Sequence, residues 1–237
     1  MSVMGIEGDG ASGDLSADTA TELGIGEPRW PIAAALLAFM ALNIGLRLWL
    51  PHEAEFRVPW LAPAIEIVLL AVLLVGHPGG AVSHTRLRRV SLVLVVTLVA
   101  AALWATLLLV YDLIKGLGVT NSPAELLATG GLVWLGNNLS FALLYWLIDS
   151  GGPLARTRLL TPVDFAFTQQ MSPELAPPGW RPVFLDYLHL GFTNATAFSP
   201  TDVMPLTLRA KYTMLVQSTT ALALFGLIVA RAVNAFT

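Results

Sequence analysis

Cysteine is absent from the 237-residue chain, and charged residues are scarce. Without cysteine the chain has no disulfide, no thiolate metal ligand and no cysteine nucleophile. Charged residues account for 12 % of the sequence, which is about half of the share usual in soluble domains. The 13 basic residues form no tract that could hold a polyanion, so nucleic-acid binding lacks electrostatic support.

Sequence signatures of enzymes and metal sites are also missing. The chain contains neither the G-x-S-x-G motif of a nucleophilic serine nor the H-E-x-x-H motif of a metal site. No two of its 4 histidines stand at the spacing of metal ligands on a helix. We therefore expect no enzyme activity, no metal and no cofactor.

Apolar residues dominate the sequence. Hydrophobic residues make up 55 % of the chain, its mean hydropathy is +0.69 and its formal net charge is -3. This composition predicts an integral membrane protein whose first partner is the lipid bilayer. The heavy use of Ala, Leu, Val and Pro favours a bacterial inner (plasma) membrane, which the chain crosses several times.

Five apolar segments approach the length of about 20 residues that a helix needs to cross the hydrocarbon core. Glycine and proline clusters separate them. The predicted spans are 30–50, 60–76, 90–114, 126–148 and 211–235. Before them, residues 1–28 form an acidic tail without the pattern of a signal peptide, and we expect this tail to be disordered. The remaining chain divides into a three-span region at 29–116 and a last region at 124–237.

The connection at 150–210 is too rich in proline to be a span. Within it, the run FLDYLHLGFTNATAF (184–198) has the length of a short helix, which Pro200 prevents from continuing. A short helix and a polar extended segment directly before a final span are typical of a re-entrant loop, here at 184–205. The predicted fold is therefore an all-α membrane protein with five transmembrane helices and a re-entrant helix and loop between the last two.

The order of span, short helix, polar segment and final span resembles the pore module of the potassium-channel (pore-loop) superfamily. Asp202, Pro205 and Arg209 match the acid, the proline and the basic residue that follow the filter in that superfamily. The resemblance covers 126–236 and implies a bacterial membrane family built on that module. It further implies a homotetramer around a cation path, because one module supplies a quarter of a pore. The residues in the place of the filter are Thr196, Ala197, Phe198, Ser199, Pro200 and Thr201.

The filter itself is degenerate. Ser199 and Thr201 stand where the superfamily has glycines, and Pro200 replaces the tyrosine. These residues disfavour the dihedral angles that aim backbone carbonyls at an ion, so a stack of carbonyl rings is not expected. Side chains would form the lining instead, with Asp202 at one mouth, and such a lining favours weak selectivity among monovalent cations. The side chains are those of Thr193, Asn194, Thr196, Ser199 and Thr201.

A structural role is the alternative for the same segment. Asn194, Thr196 and Ser199 would then satisfy the end of a re-entrant helix and form a plug. The chain would be a non-conducting membrane scaffold or sensor that keeps the fold of the pore module.

Four of the polar residues inside the predicted spans are candidates for function or for bonds between helices. An intramembrane carboxyl such as Glu66 is costly and indicates either function or a protonated, helix-paired group. Asn137 and Asn138 are expected to bond across helices. Gln217 on the last span suits either the lining of an inner cavity or the same bonding between helices.

The orientation in the membrane stays open. Nine of the 13 basic residues lie on the side of the 150–210 connection, which the positive-inside rule makes cytoplasmic. The channel resemblance implies the reverse, because a pore loop enters from outside.

Overall fold

The computed structural model describes residues 30–49, 61–75, 84–115, 123–157, 162–196 and 202–235. The predicted tail at 1–28 and the residues Ala197–Thr201 lie outside this part of the chain. The described part is mostly helical. Its apolar helices are α1 (Trp30–Trp49), α2 (Leu61–Val75), α3 (His84–Lys115), α4 (Pro123–Ile148) and α8 (Leu208–Ala235).

Three of the described helices are long and apolar enough to cross a membrane: Arg88–Lys115, Ala124–Gly151 and Leu208–Arg231. They indicate a membrane protein, and they coincide with the third, fourth and fifth predicted spans. The helices α1 and α2 form where the first two spans were predicted, but their crossing of the bilayer stays a prediction. A proline opens α4 and another is the second residue of α1, positions where its missing N–H costs no helical hydrogen bond.

The helix α4 is the centre of the fold. It contacts α1, α3 and α8, and most of its length is buried, whereas most of α3 and α8 is exposed. Apolar residues occupy all sides of α4, which is the pattern of a helix enclosed by neighbours.

The proline-rich connection folds into short elements at the carboxyl end of α4. They are the 3-10 turn Asp149–Gly151, α5 (Pro153–Thr157), β1 (Phe165–Phe167), α6 (Thr168–Met171), the 3-10 turn Pro173–Leu175, α7 (Phe184–Thr196) and β2 (Val203–Pro205). The helix predicted at 184–198 is α7, and the extended segment after it contains β2. The strand β1 was not predicted; it pairs antiparallel with β2, with Ala166 opposite Met204.

Two groups of buried apolar residues hold these elements together. The larger one joins α1, α2 and α3 to α4 and α7, and it reaches Phe165 on β1 and Val203 on β2. The smaller one joins α3, α4 and α8 around Leu109, Leu126 and Leu224. The short sheet is therefore anchored on the helices rather than attached to them by the chain alone.

Candidate functional site

The helix α7 lies against α4 and runs antiparallel to it. Its first residue, Phe184, packs edge-on against Trp146 near the end of α4, with 6.4 Å between the ring centroids. Two turns further on, Phe192 packs edge-on against Trp134 at 5.2 Å. Trp134 lies 14 residues before the end of α4, which corresponds to about 20 Å along the helix axis. The helix α7 therefore reaches about half-way along α4.

The chain then returns to the end of the bundle from which α7 started. His189 Nε2 lies 3.0 Å from Asp202 Oδ2, so residue 202 stands beside the middle of α7 rather than beyond its tip. The next residues form β2, and the N–H of Leu206 donates a hydrogen bond of 2.8 Å to the carbonyl of Asp164. Phe184 at the start of α7 and Leu206 after β2 therefore both lie at the carboxyl end of α4.

A buried network of hydrogen bonds fastens α7 to α4 and α8. Its centre is the side-chain amide of Gln217, which is 0 % exposed. The amide oxygen accepts hydrogen bonds from the hydroxyl of Tyr145 at 2.6 Å and from Nδ2 of Asn194 at 2.8 Å. The amide nitrogen donates to the carbonyl of Gly191 at 3.0 Å and to Oδ1 of Asn138 at 3.3 Å. All bonding positions of the Gln217 amide, on α8, are filled by groups from two other helices, α4 and α7.

The close approach of α7 and α4 requires a glycine at position 191. A Cβ atom there would lie 3.2 Å from the carbonyl oxygen of Asn138 and 3.6 Å from Nε2 of Gln217. The glycine therefore allows the backbone of α7 to come near enough for the network around Gln217 to form.

A second polar cluster lies at the carboxyl end of α4. Asp164 accepts hydrogen bonds from Arg209 Nε and Thr207 Oγ1, both at 2.6 Å, and from the N–H of Ser150 at 3.0 Å. A further bond from Arg209 makes that pair bidentate. The side chain of Asp164 is 0 % exposed and that of Arg209 is 54 % exposed. Burial acts to raise the pKa of Asp164, but the bonds and charge of Arg209, with those from Thr207 and Ser150, bring it below its usual value.

Asp149 organises the same cluster from the end of α4. One carboxylate oxygen accepts hydrogen bonds from the N–H groups of Asp164 at 2.9 Å and Phe165 at 3.2 Å. The other accepts a short bond of 2.5 Å from the hydroxyl of Tyr187 on α7. Arg156 lies over the ring of Tyr187, 5.0 Å from its centroid, and donates to the carbonyl of Trp146 at 2.8 Å. The start of α7 is therefore fixed to the end of α4 through Asp149.

Sequence reasoning missed most of this second cluster. It singled out Arg209 as the basic residue of the resemblance but gave it no partner, and it did not select Asp149, Asp164 or Tyr187. One local signal was present in the sequence: Gly151 and Gly152 mark a turn after α4, and in the structure Ser150 has a positive φ of 52° there. A turn does not reveal which carboxylates it brings together.

The predicted lining residues lie in different environments. Asn194 is 3 % exposed and is bonded within the network around Gln217. Thr193 is half-buried and donates to the carbonyls of His189 and Leu190, while Thr196 is exposed and donates to that of Phe192. Asp202 is half-exposed beside His189. Ala197, Phe198, Ser199, Pro200 and Thr201 lie outside the described residues.

The exposed residues of α7 form one stripe. They recur at intervals of four, three and four residues, which places them on one face of a helix. The stripe consists of Leu185, His189, Phe192 and Thr196. The opposite face carries Asn194 and Gly191 and packs on the neighbouring helices. The helix thus has one mixed apolar and polar face that the chain leaves exposed.

The four polar residues predicted to lie inside spans divide into bonded and unbonded ones. Asn138 and Gln217 bond to each other, and Asn138 also donates to the carbonyl of Trp134 at 2.8 Å. Glu66 and Asn137 are each 1 % exposed, and their side chains have no hydrogen-bond partner among the described residues. Within the same described part of the chain, no group of three or more acidic or histidine side chains is placed to hold a metal ion.

Comparisons of the chain with protein-family models, with curated proteins and with solved structures gave no significant match in any of the three. The likeness to the potassium-channel pore module therefore stays a prediction from the sequence.

Proposed function

We propose that the chain is a multi-pass inner-membrane protein with five spans, whose α4–α7–α8 unit is a pore module. Four copies would surround a path for passive, weakly selective permeation of monovalent cations. The observation that carries this proposal is that α7 reaches about half-way along α4, while Leu206, after β2, lies again at the carboxyl end of α4. In a bilayer the segment from Phe184 to Leu206 would be a re-entrant loop, whose non-helical part needs protein or water around it.

The exposed stripe on α7 supports assembly around the proposed path. Thr196 and His189 alternate with Leu185 and Phe192 on it, a mixture that suits neither lipid alone nor water alone. Copies of the chain around a central axis would cover the apolar members and leave polar ones facing the path. Asp202, beside His189, would supply one carboxylate per copy near a mouth, where negative charge raises the local concentration of cations.

Recording from planar bilayers that contain the purified full-length chain tests the proposal. We expect a cation current above that of an empty bilayer, with similar reversal potentials in potassium and sodium. The change Asp202→Asn should lower the current most at low salt, because counterions then screen the carboxylates least. Glu174→Gln is the matched control, since Glu174 is an exposed carboxylate elsewhere on the same connection. The absence of current at every pH and voltage would overturn the proposal.

Cysteine substitution gives a second test, which the cysteine-free sequence makes clean. Thr196→Cys should react with a membrane-impermeant thiol reagent and lose current, because Thr196 is exposed and would face the water path. Ala195→Cys is the matched control. Ala195 is only 5 % exposed, because it packs within its own chain, and a cysteine there should stay unreactive. Equal reactivity at both positions would argue against a lined path.

A non-conducting scaffold or sensor is the second candidate. The network around Gln217 favours it, because Asn194 is used inside the protomer and is not free to line a path. This candidate predicts that Asp202→Asn and Thr196→Val leave ion flux at the empty-bilayer level, while the oligomer still forms. Native mass spectrometry beside the bilayer recordings therefore separates the two functions.

A further inference from the structure

Glu66 lies on α2 beside buried apolar residues of the three N-terminal helices. It is 1 % exposed on α2, between the buried residues Ile65 and Leu69. These two residues belong to one core with Ile32 and Leu36 of α1 and with Val95, Leu98 and Val99 of α3. The side chain of Glu66 is therefore buried next to an apolar core to which all three helices contribute.

No described group compensates a charge on this carboxyl. Neither of its oxygens has a hydrogen-bond partner, and no ion pair with Glu66 is formed among the described residues. The helices packed against α2 are α1 and α3. On α3 the titratable and charged residues lie at the two ends, with none between Val90 and Val110. Those on α1 and α3 are Arg47, His84, Arg86, Arg88, Arg89, Tyr111, Asp112 and Lys115.

The apolar surroundings of Glu66 determine which ligand its carboxyl can bind. An ionised carboxylate without a partner in hydrocarbon is strongly destabilised, whereas the neutral acid loses only hydrogen bonds to water. A metal ion needs several oxygen ligands, and the described residues offer a single carboxyl here. The ligand that one isolated carboxyl can hold is a proton.

We propose that Glu66 is a proton-binding site that couples pH to the packing of the first three helices. Its carboxylic acid keeps the proton while α1, α2 and α3 are packed, and releases it when α2 separates from the other two. This proposal goes beyond ion permeation and does not rest on it. Loss of the proton disfavours the packed arrangement, since the charge has no described partner there.

Thermal unfolding of the purified full-length chain in micelles, with and without Glu66→Gln, tests the site. The amide of glutamine has the size of the neutral acid but cannot ionise. From about pH 5 to about pH 9 we expect the apparent Tm of the wild type to fall by about 5 °C relative to the Gln variant. The sign follows because the packed form binds the proton more tightly than the unfolded chain, so stability is lost as pH rises. Glu174→Gln, at an exposed carboxylate, should keep the wild-type pH dependence.

Hydrogen exchange gives a local measurement of the same event. At about pH 9 the amides of α2 should exchange at least about tenfold faster in the wild type than in the Gln variant, and at about pH 5 equally fast. A Tm difference between wild type and Gln variant that does not change with pH would overturn the proposal. Glu66→Met, which is apolar and of similar volume, is the second variant, because a buried glutamine amide without hydrogen-bond partners destabilises a fold by itself. If both variants unfold several degrees below the wild type at low and high pH alike, the charged carboxylate is required and the proposal is wrong.

Discussion

Asn194 on α7 donates a hydrogen bond of 2.8 Å to the side-chain oxygen of Gln217 on α8. The same oxygen accepts from the hydroxyl of Tyr145 on α4, so one acceptor joins three helices. Asn194 also donates to the carbonyl of Met214 at 3.0 Å. Polar groups of the same chain thus fix the position of α7 against α4 and α8.

Replacing Gln217 by leucine should loosen the α4–α7–α8 unit. The change removes the acceptor of the buried Tyr145 hydroxyl and the donor to the carbonyl of Gly191. It also removes one of the acceptors of Asn194, which keeps its bond to the carbonyl of Met214. Single bonds between membrane helices contribute about 0.6 kcal/mol on average, so we expect the loss of this set to destabilise the protein by about 2 kcal/mol. Thermal or denaturant unfolding in micelles measures the effect.

The neighbouring Ser218 supplies the control for this change. It is half-buried on α8, and its hydroxyl donates only to the carbonyl of Leu215 within the same helix. Ser218→Ala should therefore alter the free energy of unfolding by less than about 0.5 kcal/mol. An equal loss in both variants would mean that the network around Gln217 adds no stability of its own.

Gly191→Ala should push α7 away from α4. The added methyl group would lie 3.2 Å from the backbone oxygen of Asn138, an atom that cannot move without bending α4. We expect a destabilisation of about 1–3 kcal/mol from this crowding, seen as a lower Tm. Gly226→Ala on α8 is the matched control: a Cβ atom there meets nothing within 4 Å, so the variant should be as stable as the wild type or more stable. A neutral Gly191 variant would contradict the tight packing.

The long helices and α7 were predictable because their signals are local. Continuous apolar runs specify α3, α4 and α8, and Pro200 limits α7 to the segment that ends at Thr196. Periodicity also explains the two faces of α7, since Gly191 and Asn194 fall on the side opposite to His189 and Phe192.

The partners of the polar residues were not predictable, because they are distant in the chain. Arg209 and Asp164 are separated by 45 positions, and Gln217 and Asn138 by 79. Which carboxylate meets which cation depends on the pairing of β1 with β2, two strands of three residues whose sequences carry no strong strand pattern. Tertiary packing, not propensity, forms such short strands.

Arg209→Lys should show that the geometry of the guanidinium matters and not its charge alone. Arg209 binds Asp164 through two nitrogens, and a lysine ammonium cannot reproduce that fork. We expect a loss of about 1–2 kcal/mol in the free energy of unfolding. Lys211→Arg, on the exposed side of the same helix, should have no effect beyond about 0.5 kcal/mol. If the lysine variant were as stable as the wild type, the charge of Arg209 and not the geometry of its guanidinium would stabilise the pair with Asp164.

The pair also predicts how the protein responds to acid. The pKa of Asp164 lies below its usual value in the folded protein, so the unfolded chain takes up this proton first and stability falls as the pH drops below about 4. Above about pH 5 the contribution of Asp164 to stability is complete and constant.

Asp164→Asn removes this contribution. The variant should be less stable than the wild type by about 3 kcal/mol at neutral pH, and this difference in stability, the gap, should narrow steadily in acid. Unfolding in micelles at a series of pH values measures both. The exposed Glu174→Gln variant should follow the wild type throughout. A gap of constant size down to about pH 2 would mean that protonation of Asp164 does not break its bonds to Arg209.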